Sequence, residues 1–456
     1  MHRGLALTIF VSLILVSGMA EEPRVTLYSP DSSHLWNRLH RAIWVRTTPD
    51  GTHHDGEDWL DAPLSTETRS VLEEGPLGKT LSVLDEFNRQ TDEAVATIPA
   101  LHRAWMQRAL WSVFDWSVSL TTDFHSPIER EFHPRLRDLQ GRLTAAIRLI
   151  ALTKEEIDSL PDTYASTLAG AGYSTEPLPT KEEPNPPYLP SGLAFDSGDW
   201  TLLGPTAPSQ SPAPVHFEQL SSRSVFLVAL RIPKTGNVSS LDYLKSLNDF
   251  RPAWIPTEKD GQSTPTLPVG GLHRAGVIPN PETPQFPDGT QWALIRRAIL
   301  ISRDGALHSS PLVESIQVRT YLAVGTKQST QALVEFVLSP RALFDGAPPV
   351  IAQHGTEFRF PRFLSHQQDP FENGFYSLQS PANEPSPIQL DCLSCHSGWG
   401  IHGVNSRSEF FRPRGVEPPH LYPSGQNEIV QGALRAKARR ADWILLDALW
   451  NLNAPP

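Results

Sequence analysis

The sequence is short of positive charge, cysteine and methionine. Lysine and arginine together number 39 against 50 aspartate and glutamate residues, which gives a net charge of −11 at pH 7. Surfaces that bind nucleic acid need a basic excess to neutralise phosphates, so this composition argues against nucleic acid as a partner. With only 2 cysteines and 3 methionines, any chemistry that needs a sulfur ligand rests on a handful of positions.

Long apolar runs are missing beyond the start of the chain. The apolar run 5–16 follows Arg3 and precedes Gly18 and Ala20, a pattern typical of a secretory signal peptide over residues 1–20. No later run is long enough for a transmembrane helix, so we expect no integral membrane segment after signal removal. No cysteine follows the predicted cleavage site directly, so a lipid anchor is not expected. The sequence therefore predicts a bacterial protein that is periplasmic or secreted.

Hydrophobic periodicity divides the remaining chain and predicts an α+β multidomain protein. Residues 21–173 read as a helical region, and prolines crowd residues 174–214, which we interpret as a linker or an extended wrap. Residues 215–350 have the pattern of an antiparallel β-sheet or sandwich. Residues 351–456 are loop-rich until a final helix. Because the period changes across proline-rich connections, we expect the parts to have independent cores.

Individual elements can be placed within these parts. Thr153 and Glu156 match a capping box at a helix start, and Asp304-Gly305 is typical of a tight hairpin turn between two strands. Predicted strands cover 224–232, 292–301, 313–324 and 332–338. Apolar residues recur at helical spacing in three sets: Leu101, Trp105, Ala109, Val113 and Trp116; Leu136, Leu139, Leu143, Ile147 and Ile150; and Val430, Leu434, Ala441, Leu445 and Leu449, which predict one final amphipathic helix.

The two cysteines stand together in a chemically specific pattern. Residues 392–396 read CLSCH, with Cys392, Cys395 and His396 at the spacing of a covalent haem attachment site. Two thiols at this spacing reach the two vinyl groups on one edge of the macrocycle, and the adjacent histidine reaches the iron.

On this motif the chain resembles the c-type cytochromes. The resemblance covers these five residues and implies one covalent haem c held through thioethers to Cys392 and Cys395, with His396 as the proximal iron ligand. The chain departs from small cytochrome carriers because the motif lies near the C-terminus of a long chain and no methionine follows it.

Other readings of the same residues remain open. A C-x-x-C pair in an oxidising compartment also suits a short disulfide or a thioredoxin-like redox pair. The adjacent histidine and the lack of a surrounding βαβ pattern favour haem. Zinc would need further ligands, and there is no second cysteine pair.

The sixth iron ligand is restricted by the shortage of methionine. Met1 and Met19 lie in the predicted signal peptide, and Met106 lies in a tryptophan-rich helical run where a thioether more often fills a core gap. Histidine is therefore the expected protein donor, and we favour His420 and then His366. An open or water-filled position is the alternative.

One haem moves one electron at a time, so the sequence predicts an electron-transfer protein or a haem module of a redox complex, with a redox protein as partner. One alternative is a haem enzyme with an open iron site, peroxidase-like in character, and another is a non-enzymatic haem-stabilised sensor or binding protein. A further basic group suits either an acidic redox partner or a solvated helix face: Arg435, Lys437, Arg439 and Arg440.

Overall fold

The structure is a computed structural model. It describes residues 24–47, 53–57, 60–62, 64, 68–122, 130–169, 173–175, 178–181, 186–192, 199–205, 212–213, 216–217, 223–233, 239–249, 254–256, 277–279, 286–323, 330–347, 350–351 and 421–452. The signal peptide predicted for residues 1–20 lies outside these ranges.

Helices dominate the first part of the chain and return at its end. Their bounds are α1 Leu35–Trp44, α2 Glu74–Phe87, α3 Asp92–Ala96, α4 Ala100–Thr122, α5 His133–Leu149, α6 Lys154–Asp158, α7 Thr163–Ala169, α8 Ser240–Asp249, α9 Pro340–Phe344, α10 Gln426–Lys437 and α11 Ala441–Leu452. The capping box at the start of α6 is confirmed, because the Thr153 hydroxyl accepts from the Glu156 amide and the Glu156 carboxylate accepts from the Thr153 amide.

Helix α4 is buried on all sides rather than along one stripe. Its predicted apolar positions are buried except Leu101, which is partly buried, and polar residues between them are buried too, including Arg103, Gln107, Arg108 and Asp115. Buried polar side chains need partners. Gln107 finds them at the end of a strand: its side-chain amide donates to the Ile301 carbonyl oxygen at 2.8 Å and accepts from the Ile301 amide at 2.9 Å.

The strands outside two short hairpins form one seven-stranded sheet. The hairpins pair β1 Arg46–Thr47 with β2 His53–His54, and β5 Trp254–Pro256 with β6 Val277–Pro279. The sheet has the order β10-β9-β8-β7-β4-β3-β11, with antiparallel neighbours throughout. Its strands are β3 Thr201–Pro205, β4 Ser224–Arg231, β7 Gln291–Ile301, β8 Leu307–Ala323, β9 Thr330–Val337, β10 Val350–Ile351 and β11 Leu421–Pro423.

The α+β prediction is confirmed, with N-terminal helices, a central antiparallel sheet and helices at the end of the chain. The described strands form this seven-stranded sheet and two two-stranded pairs. Most of the buried apolar residues that the structure describes belong to one hydrophobic cluster, which runs from Trp36 through the sheet to Trp450, and two smaller clusters are separate from it. The expected independence of the parts stays a prediction.

Two predicted elements differ in detail. Within the proline-rich stretch, Thr201–Pro205 is a strand inside the sheet, and Tyr188 and Leu189 are buried. The expected single final helix is two helices, because the chain leaves helical geometry after Lys437 and restarts at Ala441. Among the described helices, none is long and apolar enough to cross a membrane.

The hairpin between β7 and β8 closes against the last helix. Gly305 has φ +85°, and a Cβ added there would lie 3.2 Å from Trp450 Nε1. Glycine is therefore required both for the left-handed backbone and for the close approach of α11.

We predict that Gly305→Ala lowers the free energy of unfolding by about 1–2 kcal/mol, because an L side chain is strained in this conformation. Gly78→Ala is the matched control. Gly78 lies inside α2 with no atom within 4 Å of an added Cβ, so this change should stabilise by about 0.5–1 kcal/mol. Urea unfolding of both variants measures the difference, and equal effects would contradict the prediction.

Candidate functional site

The predicted haem site lies outside the described residues. The chain is described up to β10 and again from β11, and the motif-bearing segment 352–420 connects these two strands. Strands β10 and β11 close opposite edges of the same sheet. Five predicted site residues fall in the segment and stay predictions: Cys392, Cys395, His396, His366 and His420.

Buried charges form a cluster where α4, the sheet and the last two helices meet. It contains four acids and four bases, none more than 6% exposed, so the charges balance when all are ionised. We call this set the ion-pair cluster: Asp61, Arg108, Asp115, Arg223, Arg296, Glu314, Lys437 and Asp442.

Asp61 is the acceptor at one end of the cluster. Its Oδ1 accepts from Arg108 Nη1 at 3.0 Å and from Arg223 Nη2 at 2.8 Å, and its Oδ2 accepts from Arg296 Nη2 at 3.3 Å. Glu314 pairs with two of the same arginines. Its Oε1 contacts Arg108 Nε, and its Oε2 lies 2.9 Å from Arg296 Nε. Burial opposes ionisation of Asp61, but the three guanidinium groups hold its pKa well below the usual range.

Asp115 connects the cluster to the last two helices of the chain. Its Oδ2 accepts from Arg223 Nη1 at 2.9 Å and from Lys437 Nζ at 3.2 Å. Lys437 Nζ also lies 3.1 Å from Asp442 Oδ2 and 4.8 Å from the centre of the Trp111 ring. Burial raises the pKa of Asp115, against the opposing effects of Lys437 and Arg223.

The prediction for the basic group on the last two helices is wrong for Lys437. Arg435 and Arg439 are exposed, but Lys437 is completely buried and Arg440 Nε lies 3.2 Å from Asp442 Oδ2. Lys437 therefore belongs to the interior and not to a docking or solvated face. Sequence spacing gave no sign of this, because its partner Asp115 is 322 positions away.

The ion-pair cluster has the properties of a structural feature that holds helices in place. Its charges are paired with each other and shielded from solvent, which suits fixing the position of α4 and α10 rather than turning over a substrate. Within the described ranges, no group of three or more His, Cys, Asp or Glu residues is arranged to hold a metal ion.

A second group of polar side chains lies on one face of the sheet. Paired residues on neighbouring antiparallel strands project to the same face. Gln317 pairs with Leu294 and Glu335, Arg319 pairs with Trp292 and Leu333, and Tyr321 pairs with Gln331. We call the following set the polar face, and each member is 4–8% exposed: Gln317, Arg319, Gln331 and Glu335.

The polar face contains a strongly perturbed acid. Arg319 Nη1 donates to Gln331 Oε1 at 3.0 Å, and Gln317 hydrogen-bonds the Glu335 carboxyl group. Burial raises the pKa of Glu335 to about 7, partly offset by Gln317 and by the charges of Arg296 and Arg319. One carboxyl oxygen of Glu335, Oε2, is buried without a hydrogen-bond partner. A carboxyl group that changes charge near neutral pH is therefore built into the sheet.

Comparisons with known proteins found no similar protein. No family model matches the chain, and no curated protein or solved structure matches it.

We predict that Lys437→Met lowers the free energy of unfolding by about 3–5 kcal/mol, because it leaves two buried carboxylates without their shared cation. Arg439→Met, two residues further on at an exposed position, is the matched control and should change stability by less than about 0.5 kcal/mol. Chemical denaturation measures both. If Lys437→Met lowered the free energy of unfolding by less than about 1 kcal/mol, the cluster would not be what holds α10 and α11 in position.

We also predict a pH-dependent stability difference between the wild type and Glu335→Gln. The pKa of Glu335 is higher in the folded state, about 7 against 4.5. Its contribution to stability is therefore full below about pH 4.5 and is lost as the pH rises through 7. Between pH 5 and pH 8 the wild type should lose about 2 kcal/mol relative to Glu335→Gln. The exposed variant Glu428→Gln should follow the wild type, and parallel curves for Glu335→Gln and the wild type would refute the assignment.

Proposed function

We propose that the chain is an exported bacterial c-type cytochrome with one covalent haem, which transfers electrons alone or as the haem module of a redox complex. The observation that carries this proposal is the CLSCH sequence at 392–396, which uses both cysteines of the chain. The donor set fits the group, because two thiols and one imidazole are the side chains that attach haem c and bind its iron.

The residues have distinct roles in this proposal. Cys392 and Cys395 hold the porphyrin through thioethers, and His396 binds the iron. Bound haem supplies a one-electron couple. The thioethers keep the haem in place when the protein meets its partner, and His396 sets the orientation of the macrocycle relative to the chain.

A histidine is the proposed sixth ligand. Met106 is completely buried in the shared core, inside α4, where it fills space between helices. We propose His420, which directly precedes β11 in the sequence, ahead of His366.

The described scaffold flanks the segment that carries the motif. Segment 352–420 follows β10 and precedes β11 in the sequence, and the helices that come after it contact α4 through Lys437 and Asp115. The proposed partner is another redox protein in the periplasm or outside the cell.

We predict that the denatured protein keeps its haem, because thioether bonds survive denaturation whereas ligation and packing do not. Cys392→Ala combined with Cys395→Ala should abolish haem staining on a denaturing gel when the protein is expressed in a bacterium that attaches haem to exported proteins. Ser394→Ala, between the two cysteines, is the matched control and should stain like the wild type. Undiminished staining of the double variant would refute covalent attachment at this motif.

A further inference from the structure

The last helix, α11, is apolar on the side that faces away from the core as well as on the side that packs against it. The core side buries four residues: Asp442, Trp443, Leu446 and Trp450. On the opposite side, Ile444 is 56% exposed and Leu452 is 79% exposed. They are two of the four large apolar side chains that are exposed among the described residues. A helix that is apolar on both sides is typical of one that is covered on both sides.

The exposed side of α11 forms a continuous stripe at helical spacing. We call this set the outer stripe: Ala441, Ile444, Leu445, Ala448 and Leu452. Leu445 is partly buried, and the other members are exposed.

A polar pair borders the outer stripe on one flank. Asn451 Nδ2 donates to Asp447 Oδ1 at 3.3 Å, and helical spacing places both residues beside Ile444. An apolar centre with a polar rim is the usual composition of a protein–protein interface.

The residues at the centre of the outer stripe are small. Ala441 and Ala448 lie in the middle of the stripe, with Ile444 to one side and Leu445 to the other, because successive residues of a helix turn by 100°. Small side chains at a helix contact allow the two axes to approach to about 8 Å. A helix that lies in a lipid surface instead buries its large apolar side chains deepest. The outer stripe therefore suits a second helix better than a membrane.

The outer stripe is complementary to itself in side-chain size. An antiparallel copy of α11, centred between residues 446 and 447, places Ala441 opposite Leu452 of the second copy. The same register places Leu445 opposite Ala448 of the second copy. Each large side chain then faces a small one, and a two-fold axis repeats both contacts.

The charges at the start of α11 fit the same arrangement. Arg439 and Arg440 directly precede the helix, and Arg439 is exposed. The N-terminus of a helix carries a partial positive charge, so bases are unfavourable there, whereas the carbonyl groups at a C-terminus attract them. In the antiparallel register, the C-terminal end of the second copy's α11 lies beside these arginines. The two ends of the helix are thus complementary in charge.

We propose that the outer stripe is the interface between two copies of this chain, which pack through an antiparallel pair of α11 helices. A two-fold contact of this kind is closed, so association ends at the dimer. Helix α11 has 12 residues, which is about 18 Å of contact. One helix pair of this length lies at the low end of interface sizes, so the dimer forms and dissociates with protein concentration.

Sedimentation equilibrium of the full-length protein, purified from the periplasm, tests the dimer from about 1 µM to about 1 mM. The mean mass of the wild type should rise from that of one chain towards that of two. Ala448→Glu places a charge at the centre of the outer stripe and should weaken association at least about tenfold. Ala94→Glu is the matched control, because Ala94 is an exposed alanine in α3, and it should associate like the wild type.

A second variant separates loss of the contact from added charge. Ile444→Ser removes apolar surface from the same stripe without adding a charge and should also weaken association. A wild type that stays monomeric throughout the range would overturn the inference. A dimer that neither Ala448→Glu nor Ile444→Ser weakens would overturn it too, because another surface would then be responsible.

Other occupants of the outer stripe give different results. If another segment of the same chain covered it, Ala448→Glu would lower the free energy of unfolding at about 1 µM, where the chains are monomeric. We expect no loss compared with Ala94→Glu. If a membrane covered it, the wild type would bind phosphatidylglycerol vesicles and Ala448→Glu would not, and either result would overturn the inference. The dimer does not depend on the haem, so a chain without covalent haem would refute the proposed function alone.

Discussion

The buried contact between Lys437 and Asp115 is the interaction on which the architecture depends. One ammonium group neutralises Asp115 on α4 and Asp442 at the start of α11, and Asp115 continues through Arg223 to Asp61 and the sheet. Removing one partner leaves an uncompensated buried charge and so lowers the free energy of unfolding. The intact set of acids and bases carries no net charge. The helices that follow segment 352–420 are thus joined to α4 and to the sheet through buried ion pairs.

The helices and the sheet of the described part pack on one another around a large shared cluster of apolar side chains. Strands β10 and β11 are the two edge strands of the sheet, and the segment that carries the haem motif lies between them in the sequence. One face of the sheet presents an arginine and an acid whose pKa is close to neutral.

Local patterns allowed most elements to be predicted, whereas long-range charge pairing could not be. Helix α4, the four long strands and the capping box at Thr153 follow from periodicity and short-range chemistry. Arg108 and Glu314 are 206 positions apart, so no local pattern could join them. The helix break after Lys437 contains neither glycine nor proline, so the sequence did not indicate it. Strand β3 lies within the proline-rich stretch, so its strand pattern was not recognised. The polar face would read as an ordinary solvent-facing side of a strand, because its burial depends on the tertiary structure.

The central claim is that this chain carries one covalent haem through Cys392 and Cys395. Intact mass spectrometry of the protein purified from the periplasm and then denatured tests it most directly. We expect a single species with the mass of the chain from Glu21 onward plus one haem. A species with the mass of the polypeptide alone, from cells shown to attach haem to other exported proteins, would contradict it.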